Sequence, residues 1–180
     1  MKNNLNKAFS LFFIVLLLPV CFESCSNHKS KDRPDYKMLK EPLIGANRIM
    51  VKNDSDRIAG HAKRMGWAME QTKTGLWYWI IQSAGKPKAK TGQVITLDYR
   101  VTLLNGTYCY SSDSSGPVRF KIGQGGVESG LEEAVLMLGQ GDTAKFIMPP
   151  YLAHGLTGDG KKIPARAIII YDIRVLAISN

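Results

Sequence analysis

The sequence predicts an α+β fold: an antiparallel sheet of about five strands wrapped around one short helix, with an N-terminal extension that contains one further helix. Three observations carry this. Between Val127 and Leu138, residues Leu131, Val135 and Leu138 repeat at helical spacing with Glu132 and Glu133 opposite, so a short helix has one apolar stripe to cover. From Val94 to Leu103, Ile95, Leu97, Tyr99, Val101 and Leu103 alternate with Val94, Thr96, Asp98, Arg100 and Thr102, giving a strand with one covered and one wet face. From Ala167 to about Ala177 the same period returns, with Ala167, Ile169, Tyr171, Ile173 and Val175 sharing a face.

The chain opens with the short basic segment Met1 to Lys7, followed by the apolar run Ala8 to Val20. A bilayer-spanning helix needs about 20 apolar residues. This run is shorter and is broken by Pro19, so residues 1–24 read as a secretory signal. The 44% hydrophobic and 22% charged composition is that of a globular protein and excludes a disordered or fibrous chain. The net charge of +9 would favour an anionic membrane or acidic partners, but the cations are scattered. No basic helix with interleaved aromatics points to nucleic acid.

Residues 25–50, with Lys29, Lys31, Asp32, Arg33 and Pro34 near their start, read as a tether with too little apolar surface to fold alone. Residues 51–90 form the extension. Ile58, Ala62, Met65 and Met69 recur at helical spacing, with Asp54, Ser55 or Asp56 available as a cap, which predicts an amphipathic helix from Asp54 to Gln71. That stripe is a candidate for the core or for a homodimer or partner contact. Gly75 begins the aromatic, β-branched run Leu76 to Ile81, a strand that ends at the basic loop Gly85 to Lys90.

Asn105-Gly106 is a strong hairpin signal after the alternating strand. Thr107 to Tyr110 returns as a strand, Ser111 to Gly116 is a polar loop, and a short strand surrounds Phe120. The central helix follows, bounded by Gly125-Gly126 before it and by Gly139 and Gly141 after it. Thr143 to Met148 is strand-like and stops at Pro149-Pro150. Tyr151 to Arg166 is then a loop long enough to suggest function. Gly123 to Gly126 and Gly158 to Lys162 lack the spacing of phosphate-binding loops and read as turns.

In this order, residues 91–180 resemble an FKBP-type peptidyl-prolyl cis-trans isomerase. The matching motifs are Val94 to Tyr99 with Asn105-Gly106, Ser111-Ser112, Phe120-Lys121-Ile122-Gly123, Val127 with Gly130, Pro149 to Gly155, and Ile163-Pro164-Ala165-Arg166-Ala167. The resemblance implies a pocket between the inner sheet face and the helix. Its walls would be Tyr99 and Phe120, its rim Val127, its floor Leu131, its loop contacts His154 and Ile163, and Tyr171 would stand at the back. Cys109, Tyr110 and Val118 occupy places where the family usually has phenylalanine, aspartate and phenylalanine, so the substrate-binding surface should be wider and less aromatic. The Glu128 N–H would meet a substrate carbonyl. Each aromatic also suits an ordinary core, and His154 lacks the spacing of a metal ligand. No metal or cofactor is expected.

Phe22-Glu23-Ser24-Cys25 resembles a bacterial lipoprotein processing site, which implies cleavage before Cys25 and acylation of its sulfur. Cys21 is the competing site. Lipidation would leave Cys109 as the one thiol, whereas cleavage before Cys21 would let Cys25 and Cys109 pair. The lipid site and the variant Leu152-Ala153-His154-Gly155 resemble, more narrowly, the gliding-motility-associated FKBP lipoproteins of Bacteroidetes-type bacteria. The implied function is X-Pro isomerisation in exported clients by a periplasm-facing lipoprotein on the inner or the outer membrane. The alternative is a non-catalytic peptide-binding or assembly lipoprotein using the same groove.

Overall fold

The computed structural model describes residues 36–180, so the expected signal and the lipid site at Cys25 lie outside the described residues. The chain falls into two compact units that meet at Ile44/Gly45 in sequence. The first unit contributes only the beginning of helix α1 (Tyr36–Met65) to the described residues. Helix α1 therefore starts well before Asp54, in a stretch expected to be a tether. Met38, Leu39, Lys40, Glu41, Ala46 and Arg48 are strong helix formers and carry the helix past Pro42. Asp54 is accordingly an interior residue and not a cap. The helix stops at Met65, where Gly66 adopts φ 67° and Trp67 N–H reaches back to Ala62 O at 3.0 Å, a glycine-closed C-terminus. Met69 lies beyond the helix.

The second unit holds one antiparallel sheet built from β1 (Glu70–Gln71), β2 (Trp77–Gln82), β3 (Val94–Leu103), β4 (Tyr108–Ser111), β5 (Val118–Lys121), β6 (Thr143–Met148) and β7 (Ile169–Ser179). Its order is β1-β2-β6-β7-β3-β4, with β5 also pairing with β3. Six of the seven strands are those the sequence marks, and the seventh is the two-residue β1, too short to show a period. Helix α2 (Ser112–Ser115) is a single polar turn, and helix α3 (Ser129–Val135) is the predicted central helix.

Strand alternation sorts the apolar residues onto two faces. On the inner face Ile95, Leu97, Val101, Ala144, Phe146, Met148, Ile169, Tyr171, Ile173 and Val175 form the main core with Leu131, Ala134, Val135 and Leu138. On the outer face Ile147, Ile168 and Ile170 pack with Ile58, flanked by Trp67, Met69, Trp77 and Leu104. Of the helical stripe, Ile58 and Ala62 are buried within the chain and Met65 is exposed.

The acidic side of α3 is tied down as well. Glu132 accepts hydrogen bonds from Gly123 N–H at 2.7 Å and Gly125 N–H at 3.1 Å, and Glu133 accepts from Thr74 Oγ1 at 2.8 Å. Gly130 sits where a Cβ would meet Leu152 O and Met148 Sδ at 2.8 Å, so its lack of a side chain lets α3 lie close to the sheet.

Candidate functional site

Helix α3 is too short to cover the whole inner face, and the uncovered part is a hollow of about 410 Å³, within the range of small-ligand pockets. Its lining comprises Leu97, Tyr99, Val101, Tyr110, Val118, Gly126, Val127, Glu128, Leu131, His154 and Tyr171. Leu131, on the first turn of α3, is buried and forms the floor. Tyr99 and Tyr171 come from adjacent strands β3 and β7, their ring centroids 6.3 Å apart at 43°. Val118 enters opposite Leu97 across the β3–β5 pairing.

Three expected residues stay out of the hollow. Phe120 pairs with Ile95, one inward-facing pair farther from Tyr99 than Val118 is, and packs against the core. Cys109 is the extra residue of a bulge, since the register passes from Val101↔Tyr110 to Thr102↔Tyr108, and the bulge leaves Tyr110 on the cavity side. The Cys109 thiol is buried, and burial pushes its pKa up, so it behaves as a small apolar filler. Ile163, a residue of the long loop, is buried in the main core and does not line the pocket. Leu97, Val101 and Gly126 complete the lining; the first two were legible as inward-facing strand residues but not as pocket walls.

The polar side of the pocket is organised around one carboxylate. Tyr171 Oη donates to Glu128 Oε1 at 3.0 Å, and His154 Nε2 lies 2.9 Å from the same oxygen. Glu128 is the N-cap residue of α3 yet makes no side-chain cap hydrogen bond, because its side chain is committed to the pocket. Burial first, then the Glu128 charge, pushes the Tyr171 phenol well above its usual range, so it remains a proton donor. Tyr99 Oη is 2.8 Å from Ser115 Oγ on α2.

The Tyr151 to Arg166 loop that presents His154 is fastened at several points. Asp159 accepts from the Tyr110 hydroxyl and from the N–H groups of Lys161 and Ile163, each at 2.8 Å. Partial burial works against the Asp159 charge, but these donors outweigh it and hold the carboxyl down at about 2. Tyr110 thus works as the partner of a loop carboxylate, a pairing across 49 positions that no local pattern signals. At the far end Arg166, at φ 57°, donates to the buried Asp54 of α1 at 3.1 Å. Tyr151 Oη donates to Thr74 O at 3.0 Å, packed where a Cβ on Gly75 would collide with it at 1.9 Å.

Comparison with known proteins places this geometry. Residues 85–176 match the family model described as FKBP-type peptidyl-prolyl cis-trans isomerase. FK506-binding protein 2 of Dictyostelium discoideum is 40% identical over 93 residues, covering 51% of this chain and 70% of that protein. Peptidyl-prolyl cis-trans isomerase Fkbp12 of Drosophila melanogaster is 37% identical, covering 55% of this chain and 93% of that one. FKBP-type peptidyl-prolyl cis-trans isomerase FkpA of Aeromonas hydrophila is 34% identical over 150 residues; the match spans 81% of this chain but only 54% of the relative. Among solved structures, AtFKBP13 superposes with TM-score 0.58 at 29% identity, covering 61% of this chain and 97% of that one.

Proposed function

The chain belongs to the FKBP-type peptidyl-prolyl cis-trans isomerases, and from that premise we propose that it works as a membrane-anchored isomerase, facing the periplasm, that speeds X-Pro isomerisation in exported proteins. The observation that carries the site assignment is the convergence of Tyr99, Val127, Leu131, His154 and Tyr171 on one hollow. Uncatalysed isomerisation takes tens to hundreds of seconds because the amide must give up its resonance against a barrier of about 18–20 kcal/mol. The twisted amide carries less charge separation than the planar one, so a water-poor apolar wall favours it over the ground state.

In this chain Leu131, Val118, Leu97 and Val101 supply that wall and a seat for the prolyl ring, and Tyr99 and Tyr171 close its back. The Glu128 N–H donates no hydrogen bond among the described residues and stands at the rim, where it suits a substrate carbonyl. No nucleophile takes part. A protease-coupled assay of the full chain on a proline peptide tests this. The expected result is acceleration that Tyr99→Ala abolishes while unfolding stays cooperative; no rate above background would remove the catalytic claim.

Anchoring rests on Ser24-Cys25 after the apolar run, since about 0.8 kcal/mol per buried CH₂ lets several acyl chains hold a protein stably. Incorporation of a labelled fatty acid that Cys25→Ala eliminates is the expected result, and label persisting in that variant would refute it. The narrower likeness to gliding-motility lipoproteins supports cell-surface machinery as the client class. Isomerase assays on such exported proteins during refolding test that step.

A further inference from the structure

We infer that Glu128 sets substrate preference in this pocket, selecting peptides with a cationic side chain immediately before the proline and disfavouring acidic ones. The inference rests on the isomerase reading of the site and deepens it. Glu128 is the one carboxylate among the lining residues, and no lysine or arginine accompanies it there. Its side chain is only 13% exposed, so water screens its charge poorly. Oε1 is occupied by the Tyr171 hydroxyl and by His154 Nε2, whereas Oε2 accepts no hydrogen bond among the described residues. A carboxylate with one oxygen fixed and one free is a charge held in place with a vacant acceptor.

The neighbouring charges leave that field standing. Lys162 lies 5.3 Å above the Tyr108 and Tyr110 rings, but Asp159, bonded to the same Tyr110, offsets it. His154 is the one lining group that can carry positive charge, and its Nε2 meets Oε1 and leaves Oε2 open. Position also favours the preceding residue. A prolyl ring seated on the buried Leu131 would leave the residue before it to extend along the start of α3, where Val127 and Glu128 line the hollow.

The test is kcat/KM of the full chain at pH 8 on three otherwise identical peptides with Lys, Leu or Glu before proline. The expected Lys-to-Glu ratio is about tenfold or more, a difference of about 1.4 kcal/mol. Glu128→Gln, which keeps the shape and one acceptor oxygen, should bring that ratio to near one, and His154→Gln should keep or raise it. Each ratio is internal to one variant, so a general loss of activity does not disturb the reading, and the wild-type ratio needs no variant at all. Turnover of the Leu peptide with a flat wild-type ratio would overturn this inference alone. A preference unchanged in Glu128→Gln would also overturn it. No turnover of any peptide would overturn the isomerase reading, and this inference with it.

Discussion

The two faces of the sheet are covered by helices of very different length, and the difference separates function from support. On the outer face, α1 lays Ile58 onto Ile147, Ile168 and Ile170, and Ala62 one turn on is buried as well. Apart from Asp54, the polar groups of this face stand away from the pocket lining. Lys145 pairs with Asp172 and lies 4.4 Å from the centre of the Trp67 ring, and burial, with Arg64 and Lys145 nearby, pushes the His61 imidazole pKa down. On the inner face, the seven-residue α3 covers only part of a wider apolar surface, and the remainder is the pocket. A sheet that buries both faces gains stability from each, yet only the incompletely covered one can accept a ligand.

The sharpest way to break this contrast is to cut the same kind of side chain from each face. Ile58→Ala should cost about 3 kcal/mol in chemical denaturation, since its site is closed and cannot collapse, while kcat/KM per folded molecule stays unchanged. Leu131→Ala should cost less, about 2 kcal/mol, because one side of that residue already borders a hollow, and should lower kcat/KM about tenfold as the floor recedes. Equal stability losses, or an activity loss from Ile58→Ala, would mean the faces are not separate in role.

A smaller effect concerns the loop. Asp159 is held at about 2 in the folded chain against 3.8 for an unperturbed carboxyl, so its stabilisation is whole above about pH 4 and is lost as the pH falls through about 2. Solvent screening limits it to about 1 kcal/mol. Asp159→Asn should therefore be less stable than wild type at pH 7 by about that amount, and the gap should close by pH 2. A gap independent of pH would assign the loss to shape and not to charge. The smallest effect is on the outer face, where Trp77 Nε1 is buried without a partner among the described residues. Trp77→Phe removes that orphaned donor and should leave stability within about 1 kcal/mol of wild type despite the smaller ring. A loss of several kcal/mol in thermal unfolding would show that the indole packs better than its unpaired nitrogen suggests.

Periodicity is what made the fold legible. The alternation of Ile95 to Leu103 and of Ile169 to Val175, and the Leu131, Val135, Leu138 stripe, each report burial directly. Motif order then located Tyr99, Val127, Leu131, His154 and Tyr171, which do line one hollow. The missed or misplaced features depend on partners far along the chain. The bulge at Cys109, the Tyr110–Asp159 bond and the burial of Asp54 against Arg166 are settled by tertiary pairing, and no period of two or of 3.6 encodes it. The early start of α1 was hidden differently: the charged residues before Tyr36 made the whole segment look polar, although helix propensity persisted from Met38 onward.

The bond from Arg166 to Asp54 joins these two sides. It fastens the segment presenting His154 to the helix on the opposite surface, and it does so from a left-handed backbone conformation that arginine rarely adopts. The outer helix is thus an anchor point for the pocket's lip as well as a cover. Cutting that tether should loosen the grip on a peptide from the far side of the molecule without any group in the hollow being altered.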